Sequence, residues 1–351
     1  MTLENSASQP QEQATWDAVF DLASGLESAT LGATLGDKTF TYGLELEARP
    51  DSPEGKLFSM PVGGDVPVAG YISAESSAGM LFRVDPKAVK AYFDTAAARI
   101  EPALEPDAQV SFTEFKSEWD MLVEGWDGTG AYATDFGPDG QYYLALYGGT
   151  WTEDPFEAVL NDLFDETIPA MLSGLPITEM AQSMNEAAAE SKQGDGSSAE
   201  LSSAMGNLTA GQSLESLSEY TPPQRALVNG WMILSNMPSV LDEASAAVES
   251  KTPLENPLSS RLTLEPGVAL RAYFDLKAMM LDTMRSFDTT QSPSLSLSLK
   301  ELEAQDLPPA SYHIDMSDNH MSLQFDVPTK TLRELMGVVN ELGMRHSEQK
   351  R

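Results

Sequence analysis

Three scarcities bound what this chain of 351 residues can do. It has no cysteine, which excludes disulfides, thiolate nucleophiles, Cys-ligated zinc and iron–sulfur clusters. It is short of cations: 21 Lys and Arg stand against 54 Asp and Glu, for a formal net charge of −33. No contiguous basic stripe is present to neutralise phosphates, so neither nucleic acid nor an anionic membrane surface is an expected partner. It also lacks long apolar runs. None reaches the roughly 18 residues that span a bilayer, so no transmembrane segment is expected.

Catalytic signatures are equally sparse. No HExxH, GxSxG, Walker A loop or strand-following GxGxxG occurs. The three histidines are His313 in a predicted hairpin strand, His320 in its turn and His346 in a charged tail. Neither a metal nor another cofactor is expected.

What is present supports a folded protein. The apolar fraction is 41%, with five Trp, ten Tyr and thirteen Phe, enough for a packed core. The length suits one large or two ordinary domains. The acidic surplus reads as a solvated surface, suited to a saline environment or a cationic partner. The opening stretch, Met1 to Pro10, is polar and acidic and unlike a secretory signal. Either the chain is made without a signal, which would make it cytoplasmic, or the numbering starts on a mature chain.

Short patterns recur. Asp85-Pro86-Lys87-Ala88 returns as Asp275-Leu276-Lys277-Ala278, 190 positions on, and Tyr132-Ala133-Thr134-Asp135 returns as Tyr312-His313-Ile314-Asp315, 180 on. Around each first motif the pattern predicts a strand, then an aspartate cap, then a helix: 80–84 with Asp85 and Pro86, and 268–274 with Asp275. Around each second motif it predicts a hairpin, with turns at Gly137–Gly140 and Ser317–His320. Ala133 stands where the second half has His313, so no shared histidine mechanism is expected.

The fold class expected is α+β, in two similar halves made by internal duplication, each with an antiparallel sheet packed by amphipathic helices. The boundaries are a disordered leader at 1–14, a first half at 15–185, a flexible Ala/Ser/Gly-rich linker at 186–219, a second half at 220–345 and a tail at 346–351. Thr15 is expected to cap a helix from Trp16 to about Leu26. Phe40, Tyr42, Leu44 and Leu46 alternate as a half-buried strand. Gly230–Asn236 reads as a strand and Pro238–Val248 as the helix after it.

The run Asn229–Asn236, then Val240, Leu241 and Ala244, then Gly267 to Asp275, resembles a pattern in uncharacterised bacterial extracytoplasmic families, often lipoproteins, built from repeated αβ units. The resemblance covers mainly residues 225–330. It implies a mature protein of the periplasm or cell envelope, with no assigned activity and no functional residue to carry over.

Candidate sites are few. Asp135 and Asp315, each three residues after a tyrosine, suit either a carboxylate general acid in each half or a turn-flanking hydrogen-bond acceptor. Asp135–Gly140 has the start of a calcium loop, but Leu146 occupies the twelfth position, where a bidentate glutamate is needed. Asp85 and Asp275 are explained as caps, which leaves Lys87 and Lys277 exposed in the first helical turns. Trp119-Asp120 and Trp126-Asp127 are spaced like one helix face and read as core. Met171, Leu172, Leu175, Met180 and Met184 would line an apolar groove within 156–184, for a lipid or a partner helix, or else pack between helices. The function expected is non-enzymatic: binding or scaffolding of a protein or envelope component outside the cytoplasm. The alternatives are a carrier for a lipid or other apolar ligand in that groove, and a carboxylate-dependent hydrolase.

Overall fold

In a computed structural model of the protein, residues 24–104, 106–137, 140–168, 222–286 and 300–338 are described. Their strands are β1 (Leu26–Leu35), β2 (Thr39–Ala48), β3 (Ala78–Arg83), β4 (Trp126–Gly137), β5 (Gly140–Gly149), β6 (Gln224–Val228), β7 (Trp231–Ser235), β8 (Val268–Phe274), β9 (Ala310–Ser317) and β10 (His320–Pro328). The helices are α1 (Pro53–Phe58), α2 (Pro86–Ile100), α3 (Pro106–Gly125), α4 (Glu153–Asn161), α5 (Pro238–Ser250) and α6 (Leu276–Ser286). α4 continues into a π-helical turn, Asp162–Thr167, and residues 300–303 and 329–338 are also helical.

The class is α+β. All ten strands join one antiparallel sheet in the order β1-β2-β10-β9-β8-β3-β4-β5-β7-β6. Two sheets, one for each half, are therefore not what forms. The hairpin β1–β2 crosses to β10, β6–β7 crosses to β5, and β3 pairs with β8. A continuous sheet leaves two exposed edges where two separate sheets would leave four, and each open edge is a row of unpaired backbone groups. The order has a twofold regularity: exchanging each βn with βn+5 and reading from the other end returns the same list. At its centre Leu81 lies opposite Arg271, the residue 190 positions later.

The caps form as the sequence indicates. Asp85, in extended backbone, accepts from the Lys87 N–H at 2.9 Å, and Pro86 follows at the first helical position. Asp275 accepts from the Ala278 N–H at 2.9 Å. Lys87 is exposed, whereas Lys277 is half-buried and donates to the Gln305 carbonyl.

Three differences from the sequence reading stand out. Leu26 begins a strand rather than ending a helix; residues 16–23 lie outside the described ones. Gly230 is not strand but forms, with Asn229, the turn of a hairpin, with φ of 53° at Asn229 and 80° at Gly230, and β6 precedes it. Trp119 lies on α3 against Phe93 and Phe115, while Trp126 opens β4 against Phe82, so the two do not share a helix face.

Adjacent residues on a strand face opposite sides, and both sides of β3–β4–β5–β7 are packed. On one, Leu81, Ala131, Leu146 and Ile233 meet Val68, Ile72 and the α5 residues Leu241, Ala244 and Val248. On the other, Ala145, Met232 and Leu234 meet Trp151, Phe156 and Leu160. The remaining strands are covered far less. On β1, β2, β9 and β10 the buried residues are Ala48, Ala310 and Val327.

The segment carrying the family resemblance is structural at its end. Ser235, with no exposed surface, donates its hydroxyl to the Tyr143 carbonyl at 2.6 Å and accepts from the Met237 N–H at 3.1 Å. Asn236 clasps β5 beside it, accepting from the Tyr143 N–H and donating to the Gln141 carbonyl. Ser235→Ala leaves two backbone groups without that hydroxyl, and a loss of about 1–3 kcal/mol is expected in urea denaturation. A change within error would show that the hydroxyl does not hold this corner.

Candidate functional site

Met171, Leu172, Leu175, Met180 and Met184, expected to line an apolar groove, lie outside the described residues. At the described start of the 156–184 region, Phe156 and Leu160 are core residues packed on β7. A crevice of about 160 Å³ between α5 and the sheet, lined by Tyr71, Leu144, Val240 and Ala244 among others, is smaller than the several hundred Å³ usual for such ligands. A larger depression of about 460 Å³ lies beside Arg49, Glu54 and Arg99. Glu54 is 4% exposed, and Gly25 seals its carboxylate: a Cβ there would fall 1.7 Å from Oε2.

The two repeated aspartates do not meet. Asp315 lies opposite Val268 at the start of β8, whereas Asp135 follows Thr134, which aligns across β3 with Phe274 at the end of β8. Six residues along an extended strand separate them by about 20 Å in the strand direction, and three strand spacings add to that across the sheet. Asp135 accepts from the Ser77 hydroxyl at 2.6 Å and the Tyr142 hydroxyl at 3.4 Å. Burial, and then the charge of Asp135, push the Tyr142 phenol upward. Asp315 stands 3.5 Å from His313 Nε2. Among the described residues no group of three His, Cys, Asp or Glu could hold a metal, and no helix is long and apolar enough to cross a membrane. The paired carboxylates a hydrolase would need are thus not assembled from these two.

What the fold does assemble is a polar sheet face. The strand registers align Arg271, His313, Gln324, Gly43 and Gly32 in one row across β8, β9, β10, β2 and β1. On one side of that row run Ser311, Asp326, Thr41 and Thr34; on the other run Asp315, Ser322, Glu45 and Thr30. None of these residues is buried. The opposite face of the same strands is apolar, with Leu270, Ile314, Leu323, Leu44 and Leu31 in one row. Strict alternation along each strand produces this division.

Within the polar face the side chains hold one another. Asp326 accepts from Thr41 Oγ1 at 2.6 Å and from Gln324 Nε2 at 2.8 Å. Arg271 lies 3.5 Å from Glu265, and Ser28 donates to Glu47 at 3.5 Å. Glu45, Glu47, Asp315 and Asp326 outnumber the single arginine, so the face is rich in acceptors for N–H and O–H donors. Its rows run across five strands, suited to holding an extended polar partner. The polar parity of 41, 43, 45 and 47 and of 322, 324 and 326 is visible in the sequence; that the two sets share one face depends on a pairing 285 positions apart, Thr41 with Asp326.

Compared with models of known protein families, with curated proteins and with solved structures, the chain has no match in any of the three.

Proposed function

We propose that this chain is a non-enzymatic binding or scaffold protein working outside the cytoplasm, and that it docks a polar partner on the open face of β8, β9, β10, β2 and β1. The observation that carries the reading is the contrast between the halves. One half of the sheet is packed on both sides, while on β9, β10, β2 and β1 the other presents rows of Thr, Ser, Gln, His and carboxylates with no buried member; on β8 the flanking rows end on the buried Tyr273 and Val268. The acceptor-rich chemistry favours a cationic or hydroxyl-rich partner, an envelope polymer or a protein. The extracytoplasmic placement rests on the resemblance of residues 225–330.

The same reading takes the two halves as a tandem duplication whose β1–β2 and β6–β7 hairpins exchanged places. The twofold strand order, the matched aspartate caps and the Leu81–Arg271 pairing support it. The copies have diverged: Tyr132 faces Met80, but Tyr312 faces Ala272, two residues beyond the Leu270 that a spacing of 190 would give.

Hydrogen exchange in the presence of isolated cell-envelope polymer tests the docking face. Protection is expected on β2, β9 and β10, and is expected to be lost in a Thr41→Arg, Gln324→Arg double variant that folds normally. Protection confined to the helices, or unchanged in that variant, would defeat the assignment.

A further inference from the structure

The two edges of the sheet are treated differently. β6 is five residues long, and its Arg225 is tied to Asp165 of the π-helical turn and to Asn161 of α4. That edge is short, charged and attended by a helix, the usual devices that stop a strand from pairing further. β1, at the other end, has none of them. It is ten residues long, every residue after Leu26 is exposed, and Leu31 and Leu35 are 62% and 71% exposed. From Ser28 to Leu35 it carries no charge and no proline, in a chain of net charge −33. Its register irregularity, between Leu26 and Ser28, lies before that stretch.

We propose that β1 pairs antiparallel with β1 of a second copy of the chain about a twofold axis, so that the two copies share one continuous sheet. Three observations select this partner. The first is length. β1 pairs with itself over nine of its ten residues, Glu27 to Leu35, whereas pairing with the five-residue β6 of another copy would strand half of it and build an open filament rather than a closed dimer.

The second is parity. The twofold that sets two copies of a strand antiparallel runs perpendicular to the sheet and keeps each face on its own side. Directly opposed residues share a face. With Leu31 on the axis, it lies opposite the partner's Leu31, Ala33 opposite the partner's Ala29 and Thr34 opposite the partner's Ser28. The apolar stripe, with Tyr42 40% exposed beside it, is then continued by apolar residues, and the polar face by polar ones. The third is charge. Two chains of −33 repel, and a neutral eight-residue strand is a joint that adds no like-charge contact. The joint therefore tightens with salt, the reverse of what a cationic partner would show.

This inference goes beyond the docking-face reading and stands without it; the tests of the two are separate. The full chain is examined by sedimentation velocity across the micromolar range at low and high sodium chloride. The expected result is a shift from the 38.0 kDa monomer to twice that mass, with a larger dimer fraction at high salt. The double variant Leu31→Lys, Leu35→Lys alters only exposed side chains, and is expected to keep its melting curve and lose the dimer. The natural absence of cysteine allows a second, positional readout. Leu31→Cys, Gly32→Cys and Ala33→Cys are made singly, with Ala226→Cys on β6 as the comparison. A residue opposed to itself across an antiparallel pair has its Cα atoms about 4.5–5.5 Å apart, within disulfide reach. One of the three β1 cysteines is expected to crosslink two chains under mild oxidation, and the β6 cysteine is not. A monomer under every condition, a dimer unaffected by the double lysine variant, or crosslinking only through β6 would overturn the proposal.

Discussion

Truncating Leu146 to alanine is expected to cost about 3–5 kcal/mol of folding stability, the upper part of the range for buried leucines. Leu146 sits on β5 with no exposed surface, opposite Ala131 on one side and Ile233 on the other. Both neighbours are 0–1% exposed, so the site has no freedom to collapse into the space a deleted isobutyl group leaves. The same truncation at Leu44 on β2 removes a half-buried side chain with Leu31, an exposed residue, directly opposite it. Its expected cost is smaller, about 1–2 kcal/mol, in proportion to the apolar area it hides. Urea midpoints at constant slope measure both. If the two variants lost equal stability, the core would not be concentrated on β3–β4–β5–β7, and the open half of the sheet would lose its meaning as a docking surface.

How much of this was legible follows from the range over which each signal acts. The aspartate caps at 85 and 275 are written locally, because the acceptor, the free N–H groups and the adjacent proline or leucine fall within four residues. The hairpin turn at Ser317–His320 is equally local, and Asp318 and Asn319 take the left-handed conformations such a turn requires. The strand at Phe40–Leu46 is legible because leucines and aromatics alternate with polar residues. β1 is not, because alanine and glycine flatten its alternation and Trp16, Val19 and Phe20 draw the reading toward a helix. β6 was within reach: Asn-Gly is a strong hairpin signal, and its neighbour Gln224–Val228 needed only that signal to be read as a turn.

Strand pairing is a different matter. Nothing in 26–48 announces that it will lie beside 320–328 rather than beside 78–83. That choice is made by how many edges and faces the whole sheet leaves in water. The polar face inherits this limit, since its rows exist only once Thr41 is known to oppose Asp326. The candidate groove at Met171–Met184 is legible only as composition, which cannot separate a ligand wall from helix packing.

Gly128 and Gly267 form a controlled comparison, and the substitution Gly128→Ala is expected to cost roughly 2–6 kcal/mol against about 1–3 kcal/mol for Gly267→Ala. The two share a backbone conformation, φ of +88° and +92°, so alanine meets the same left-handed strain at each. They differ in what surrounds them. A Cβ on Gly267 meets nothing within 4 Å, but on Gly128 it would fall 2.0 Å from the Val84 carbonyl oxygen and 3.0 Å from Pro86 Cδ. Val84 cannot give way cheaply, because its N–H donates to the Gly128 carbonyl at 3.0 Å and the next residue is the Asp85 cap of α2. Nor can Gly128, held by Asp127, whose carboxylate accepts the Thr129 N–H at 2.8 Å and the Thr129 hydroxyl at 2.6 Å. Two turns are thus locked together at the point where β3 hands over to α2 and β4 enters the sheet. Thermal denaturation of the two variants separates strain from collision, since strain is common to both. Equal losses would mean the collision relaxes freely, and that the β3–α2 corner is not the rigid junction between the packed core and the strand cap.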